Sequence, residues 1–237
     1  MSELTVTPGK LTLICSALPA PPLFWTDPDG TRHGFEPDAA AAVARAMGLE
    51  LEWLFLQWAD FNPTLMDGKA DAIWCGSAIT PEREKQFLYS RPYGVFNEAL
   101  LVRAGSGITS PADLKGKRIG AINASTNMAL VESWDGATGV GFDGVSDDVL
   151  ADMVAALRAG EVDGVVDDDG AFGSYGQEDD LEVAFTVETR NRWGAAMRPG
   201  SDDLKAAMDR AIDHVILSHG LSAIWRKYFP LLEYPDI

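Results

Sequence analysis

Three places in the chain gather side chains that can hold small charged groups. Arg83 sits in Thr80-Pro-Glu-Arg. A guanidinium offers a planar pair of donors to a planar pair of acceptors and stays charged when desolvated. The plain alternative is a surface arginine on a helix. Asp167, Asp168 and Asp169 follow the apolar run Val162–Val166. A carboxylate there can hold a cation, or the run is a solvated acidic turn. Strand side chains alternate between faces, so the register of that run decides which aspartate faces which way. Ser125 and Thr126 stand where a helix begins. Backbone N–H groups and the helix dipole favour an anion there without any special side chain. Plain capping is the alternative.

Other reactive or adhesive residues are scattered. Trp58 can stack on aliphatic, aromatic or cationic groups, or it is a core tryptophan. Phe24, Trp25 and Trp74 are expected mostly in the core. Cys15 and Cys75 are the only cysteines. They are too few for a disulfide scaffold and lack zinc-site spacing, so two buried strand-end thiols are expected rather than a bridge. His33, His214 and His219 form no Ser-His-Asp arrangement and no paired metal-ligand helix motif. They read as surface or capping residues. No catalytic residue, metal or cofactor is expected.

The elements that must position these groups alternate between short apolar runs and amphipathic stretches, an α/β pattern. Strands are expected at Leu11–Ser16, Leu49–Leu56, Ala70–Cys75, Asn97–Arg103, Arg118–Ile122, Val162–Val166 and Arg192–Arg198. Helices are expected at Asp38–Met47, Phe61–Gly68, Ser125–Trp134, Asp147–Ala159, Asp202–Ser218 and Ser222–Phe229, with a short one at Pro111–Leu114. Gly48 and Gly160 serve as stops, and Gly220 separates the last two helices. Thr80 with Pro81 opens another helix with a cap and a proline at its first position.

Composition narrows the function classes. The 237 residues carry 36 acidic and 19 basic side chains, a formal charge of −17. Mean hydropathy is −0.04 and the isoelectric point about 4.4. An unassisted nucleic-acid binder needs a basic face, so that class is disfavoured, and anionic membrane surfaces would repel the chain. No run of about 18 apolar residues exists to span a bilayer. The N-terminus lacks a positive segment followed by an apolar one.

Five segments in order carry a family resemblance. Gly68–Glu84 (GKADAIWCGSAITPERE) resembles the central signature of the polar amino-acid-binding proteins of ABC importers, the family-3 extracellular solute receptors. His33–Gly48 (HGFEPDAAAAVARAMG) resembles that family's Gly-Phe-Asp-x-Asp helix opening, and Ser110–Thr126 (SPADLKGKRIGAINAST) its second-lobe entry. Leu157–Asp169 (LRAGEVDGVVDDD) and Arg198–Phe229 resemble its hinge-proximal strand and C-terminal helices. The resemblance implies a periplasmic-binding-protein fold of type II: two Rossmann-like α/β lobes joined by a two-strand hinge, with ligand in the interlobe cleft closing it. Lobe 1 is then residues 1–96 plus 193–237, and lobe 2 residues 97–192.

The same resemblance implies roles. Arg83 matches the arginine that grips a ligand α-carboxylate, and Asp168 the aspartate that takes the α-ammonium. Ser125 and Thr126 match small hydroxyl residues that bind the same carboxylate. Trp58 falls where an aromatic ring often meets the ligand side chain. Cys75, Gly76 and Ser77 lie beside this site. Ala17, Ala20 and Ala78 depart from the family's second Asp, its Tyr and its Ser or Thr. A less acidic, wider first-lobe wall follows, which weakens the case for a dibasic ligand and leaves room for a larger or less cationic side chain.

The implied function is capture of a small amino acid or related zwitterion and delivery to an ABC permease, by a monomer without nucleic-acid partner or membrane insertion. The implied place is periplasmic or extracellular, with or without a lipid anchor, the export signal being absent from the sequence; it is cytoplasmic if Met1 is the native start. Two rivals share the fold: a cyclohexadienyl-dehydratase-like enzyme and a ligand-sensing receptor domain. The dehydratase's catalytic glutamate falls at Ala171 here, so that acid is missing.

Overall fold

The computed structural model describes residues 4–17, 19–143, 148–172, 175–230, 232–235 and 237. Met1, on which the reading of the chain start rests, and Asp147, the expected first residue of a helix, lie outside these residues. The chain divides into two compact units: Met1–Val95 with Asn191–Ile237, and Phe96–Arg190.

The first unit begins with β1 (Lys10–Ser16), whose inner five residues are all buried. Such an unbroken apolar run suits a strand covered on both faces. A small hairpin follows, β2 (Trp25–Thr26) with β3 (Arg32–His33), around the turn Asp27-Pro-Asp-Gly30. Helix α1 (Phe35–Met47) starts three residues before its apolar spacing indicates. Gly34 permits this: its φ is 123°, and a Cβ there would stand 2.2 Å from the Leu23 carbonyl oxygen. Gly48, at φ 72°, closes the helix and donates back to its last turn. β4 (Glu50–Leu56) then pairs parallel with β1 along all seven residues. Helix α2 (Phe61–Met66), β5 (Ala72–Ile73), α3 (Pro81–Glu84) and β6 (Leu88–Tyr89) complete this stretch. The expected strand Ala70–Cys75 is thus shortened to two residues, because Asp71 is tied to the amides of Val6 and Thr12 and Cys75 leaves the sheet.

The second unit is built on β7 (Gly94–Arg103), β8 (Arg118–Ile122), α4 (Thr126–Ser133), β9 (Thr138–Phe142), α5 (Val149–Ala159), β10 (Gly164–Asp168) and β11 (Leu181–Trp193). Its sheet runs β11-β7-β10-β8-β9. Leu101, Met153, Leu157, Val165 and Phe172 fill one side and Leu100, Leu114, Ile119, Val131 and Val166 the other. Two expectations are corrected here. The strand expected at Val162–Val166 starts at Gly164 and continues through Asp167 and Asp168, so these two acids are strand residues and not a turn. β9 and the long β11 are strands that the sequence reading does not place. The unit boundaries fall inside continuous strands: within β7 after Val95 and within β11 after Arg190.

The chain end returns to the first unit. β12 (Ala196–Met197) inserts between β5 and β6, giving the order β4-β1-β5-β12-β6. The strand expected at Arg192–Arg198 is therefore divided, with Gly194 and Ala195 between β11 and β12. Gly194 is required there, since a Cβ would stand 2.8 Å from Ile79. Helices α6 (Asp202–Leu217) and α7 (Gly220–Tyr228) contact α1. His219, at φ 60°, makes the break between them, and Gly220 already belongs to α7. Phe35, Trp225 and Phe229 interlock with edge-to-face geometry beneath these helices. Among the described residues no helix is long and apolar enough to cross a membrane.

Candidate functional site

In the first unit the candidate residues gather after β5. The segment Cys75–Ala78 leaves the sheet at Gly76, whose φ is 58°. It is held by the Gly194 amide on the Ser77 carbonyl and by a bridge of Ala78 to Trp193. Ser77 and Ala78 are buried, while Cys75 and Gly76 are partly open. Thr80 caps α3 by accepting from the Arg83 amide at 3.2 Å, and Pro81 takes the first helical position. This short turn places Arg83, which stays half-exposed. Its Nη1 donates to the Ala78 carbonyl at 3.0 Å, and the guanidinium carbon lies 5.9 Å from the Trp58 ring. Trp58 is 41% exposed and leans on Phe61. Arg83 is thus braced by a carbonyl and an aromatic face.

Other expected neighbours fall differently. Trp74 is wholly buried and stacks on Tyr93 at 4.0 Å, so it is core. Phe24 is buried, and Trp25 stacks on His33. Ala17 is exposed and donates its amide to Leu56; Ala20 is half-buried and bridges to Phe24. Next to Ala17, Arg32 is a residue the sequence reading missed. Its guanidinium lies 4.9 Å from Phe24 and 4.6 Å from Phe55, and it donates to the Ser16 carbonyl and to Thr26. Its local sequence does not mark it, because the Phe55 ring and the Ser16 carbonyl reach it only through the fold.

Beneath the same segment lies Glu36, wholly buried. Tyr93 donates to its Oε2 at 2.9 Å, and its Oε1 meets no donor among the described residues in full hydrogen-bond geometry. Burial, reinforced by negative charge on Cys15, lifts this carboxyl to about 8 against the Tyr93 hydroxyl and the Gly76 amide. The sequence marked Glu36 only as part of a helix opening.

In the second unit the candidates converge at the end of β10 and the start of α4. Ser125 accepts from the Met128 amide at 3.0 Å and donates to the Ile122 carbonyl at 2.7 Å. Its hydroxyl is therefore occupied by capping. Helix geometry leaves the amides of Thr126 and Asn127 without intrahelical partners. Ala124, before the cap, is held at φ 57°, a left-handed conformation that costs a non-glycine residue roughly 1–2 kcal/mol. Such strain persists only where the surroundings over-determine it.

The three aspartates have separate partners. Asp167 accepts from Asn127 Nδ2 at 3.4 Å and from the Asp168 amide at 2.8 Å. Asp169 accepts from Asn97 Nδ2 at 3.2 Å. Asp168 stands directly across the strand pair from Glu98 on β7, a buried acid that receives the Thr189 hydroxyl. Like charges directly opposite destabilise a sheet. Burial, then the charges of Asp167, Glu98 and Asp169, push the Asp168 carboxyl well up; burial raises Asp167 to about 6. The largest influences on these three groups include no lysine or arginine. Glu98 and Asn127 escaped the sequence reading, since their burial depends on long-range pairing.

The comparisons with known proteins agree with one another. The model of the bacterial extracellular solute-binding proteins, family 3, matches residues 13–231. A probable histidine-binding protein of Neisseria gonorrhoeae is 26% identical over 227 residues, 94% of this chain and 84% of its own. The L-cystine-binding protein TcyJ of Escherichia coli K12 is 29% identical over 213 residues, 88% and 79% of the two chains. A solved ancestral arginine-binding protein bound to arginine superposes with a TM-score of 0.83 at 27% identity, covering 93% of this chain and 98% of that one. With nearly the whole chain matched, the protein belongs to the bacterial extracellular solute-binding proteins of family 3 and has their type II periplasmic-binding-protein fold.

Proposed function

We propose that this protein captures a small zwitterion, an α-amino acid or close relative, outside the cytoplasmic membrane and hands it to an ABC permease. One observation carries the reading: Asp168 faces Glu98, flanked by Asp167 and Asp169, and burial with mutual repulsion raises its carboxyl, with no lysine or arginine of the described residues among the largest influences on it. A ligand ammonium supplies the missing positive charge. Arg83 is the first unit's group for the ligand carboxylate, and the α4 amides of Thr126 and its neighbour, with Ser125 holding the helix end in place, are the second unit's. Trp58 meets the side chain, and Cys75, Gly76, Ser77 and Ala78 form the adjoining wall. Relatives whose names specify histidine and cystine support an amino-acid ligand.

The ligand side chain is large and uncharged or weakly cationic. Ala17 and Ala20 bring no acid, and Arg32 beside Ser16 and Ala17 repels a second positive charge. The protein binds as a monomer and does not transform its ligand. In place of the glutamate that the dehydratase reading requires stands the buried Ala171.

A thermal-shift screen over free amino acids tests the reading. At 100 times the dissociation constant, binding adds about 2.7 kcal/mol. For a chain of this size the melting point then rises by about 5–11 °C. A hit bearing both carboxylate and ammonium is expected, with no consumption of prephenate or arogenate. A tight ligand without any anionic group removes the assignment of Arg83.

A further inference from the structure

We propose that Cys15 and Cys75 are a reversible dithiol–disulfide site, oxidised by a low-molecular-weight disulfide such as oxidised glutathione. Both thiols are free, and their sulfurs stand 3.4 Å apart. Cys15 lies in β1, one residue past the pairing Ile14↔Ile73, and Cys75 lies two residues past the end of β5, where the chain has left the sheet. Closing the sulfurs from 3.4 Å to a bond of about 2.05 Å is a movement of about 1.4 Å.

The surroundings prepare the pair for exchange. The Ser16 amide donates to Cys75 Sγ at 3.3 Å, and Arg32 Nη2 lies 3.6 Å from Cys15 Sγ. Burial alone would raise the Cys15 thiol, but the hydrogen bond from Cys75 and the Arg32 charge outweigh it and hold it low. Cys75 keeps the shared proton, for its bond to Cys15 and its burial push it up. Cys15 is wholly buried and Cys75 is partly open, so entry and resolution fall to different sulfurs.

The step balances. With one proton lost to water and one shared between the two sulfurs, the shared proton moves to Cys15 and the Cys75 thiolate attacks one sulfur of oxidised glutathione, whose other half leaves as a thiolate. The Cys75–glutathione bond forms as the glutathione disulfide breaks. Cys15 then attacks Cys75 Sγ, the protein disulfide forms, and the second glutathione thiolate leaves. The proton on Cys15 passes to one departing glutathione thiolate, the other takes back from water the proton lost at the start, and the two electrons of the protein dithiol reduce one glutathione disulfide. The product ties the carboxyl end of β1 to the segment Cys75–Ala78. This inference stands on sulfur geometry alone and does not need the amino-acid reading.

The test incubates the native full chain with glutathione mixtures of increasing oxidised fraction. Acid quenching, denaturation, alkylation and mass spectrometry follow. The expected product has lost two hydrogens, carries no glutathione, takes up no alkylating agent, shows a Cys15–Cys75 cross-linked peptide, and reverts in dithiothreitol. Cys15→Ser should stall as a glutathione adduct on Cys75, and Cys75→Ser should stay unmodified while folded by circular dichroism. Wild type that keeps two alkylatable thiols at ratios that oxidise a short dithiol peptide overturns the proposal. So does wild type that stops at a stable glutathione adduct or links only between molecules.

Discussion

Both units bury carboxyl groups whose proton affinity is raised, yet the two sets differ in kind. In the first unit Glu36 is wholly enclosed, with the Tyr93 hydroxyl on one oxygen and aromatic rings around it. In the second, Asp167, Asp168 and Asp169 remain partly open at the end of a strand; burial raises all three, and for Asp168 the charges of Asp167, Glu98 and Asp169 add to it. A closed carboxyl can answer only to pH. An open group of acids can also answer to a cation that arrives from solution. Raised proton affinity by itself therefore does not locate a site; what decides is whether a counter-charge can still reach the group.

The largest effect expected from this contrast concerns Glu36. Its folded value of about 8 lies above the 4.5 of an ordinary glutamate, so the folded state keeps a proton that the unfolded chain releases. Its stabilising contribution is whole below about 4.5 and is lost as the pH rises to about 8. Each tenfold change in proton affinity is worth about 1.4 kcal/mol, so the loss is on the order of 5 kcal/mol at most. Glu36→Gln should flatten the stability profile in urea titrations across that range and leave ligand affinity nearly unchanged. A variant that keeps the wild-type slope assigns the dependence to other groups.

Arg83→Ala should come next. Loss of a charge-assisted bond costs about 1.5–3 kcal/mol, or roughly 10- to 150-fold in the dissociation constant by calorimetry. Melting without ligand should move little, since Arg83 is half-exposed and its guanidinium rests on a backbone carbonyl. Asp168→Asn probes the open acids. A bound ammonium favours their charged form, so wild type should release protons on binding near pH 6, read as a buffer-dependent enthalpy. The variant should bind about tenfold more weakly, near 1.4 kcal/mol, and release fewer protons. Equal proton release in both would place the cation elsewhere.

Ser125→Ala is the smallest and separates capping from contact. Removing a serine cap costs about 1 kcal/mol of stability. If the ligand uses the α4 amides, affinity should fall less than threefold once the variant is folded. A larger loss of affinity would return the hydroxyl to the ligand.

Much of the scaffold was readable because its signals are local. Gly48 and Gly160 end helices in the left-handed conformation that glycine adopts without strain, and Thr80 with Pro81 opens one as its chemistry directs. β11 carries an apolar residue at every second position from Leu181 to Val187, the mark of a half-buried strand, and the sequence reading passed over it. In the same sheet β9 carries Gly139 and Gly141, whose missing side chains admit Met128 and Asn123 and erase any apolar pattern. The candidate site was less readable. Arg83 and the aspartates stand out by type and motif, but Arg32, Glu36 and Glu98 acquire their meaning from partners far away in sequence. Register decided which aspartate meets Glu98, and one residue of slip would have exchanged Asp168 for a neighbour.

The insertion of β12 between β5 and β6 sets an order of assembly during synthesis. Every strand of the second sheet lies in one uninterrupted stretch, Gly94–Trp193, so it can be complete as soon as that stretch has emerged. The first sheet must wait for Ala196 and Met197, and until then β5 and β6 present unpaired backbone to whatever is near. The half of the molecule that is made first is thus the half that finishes last.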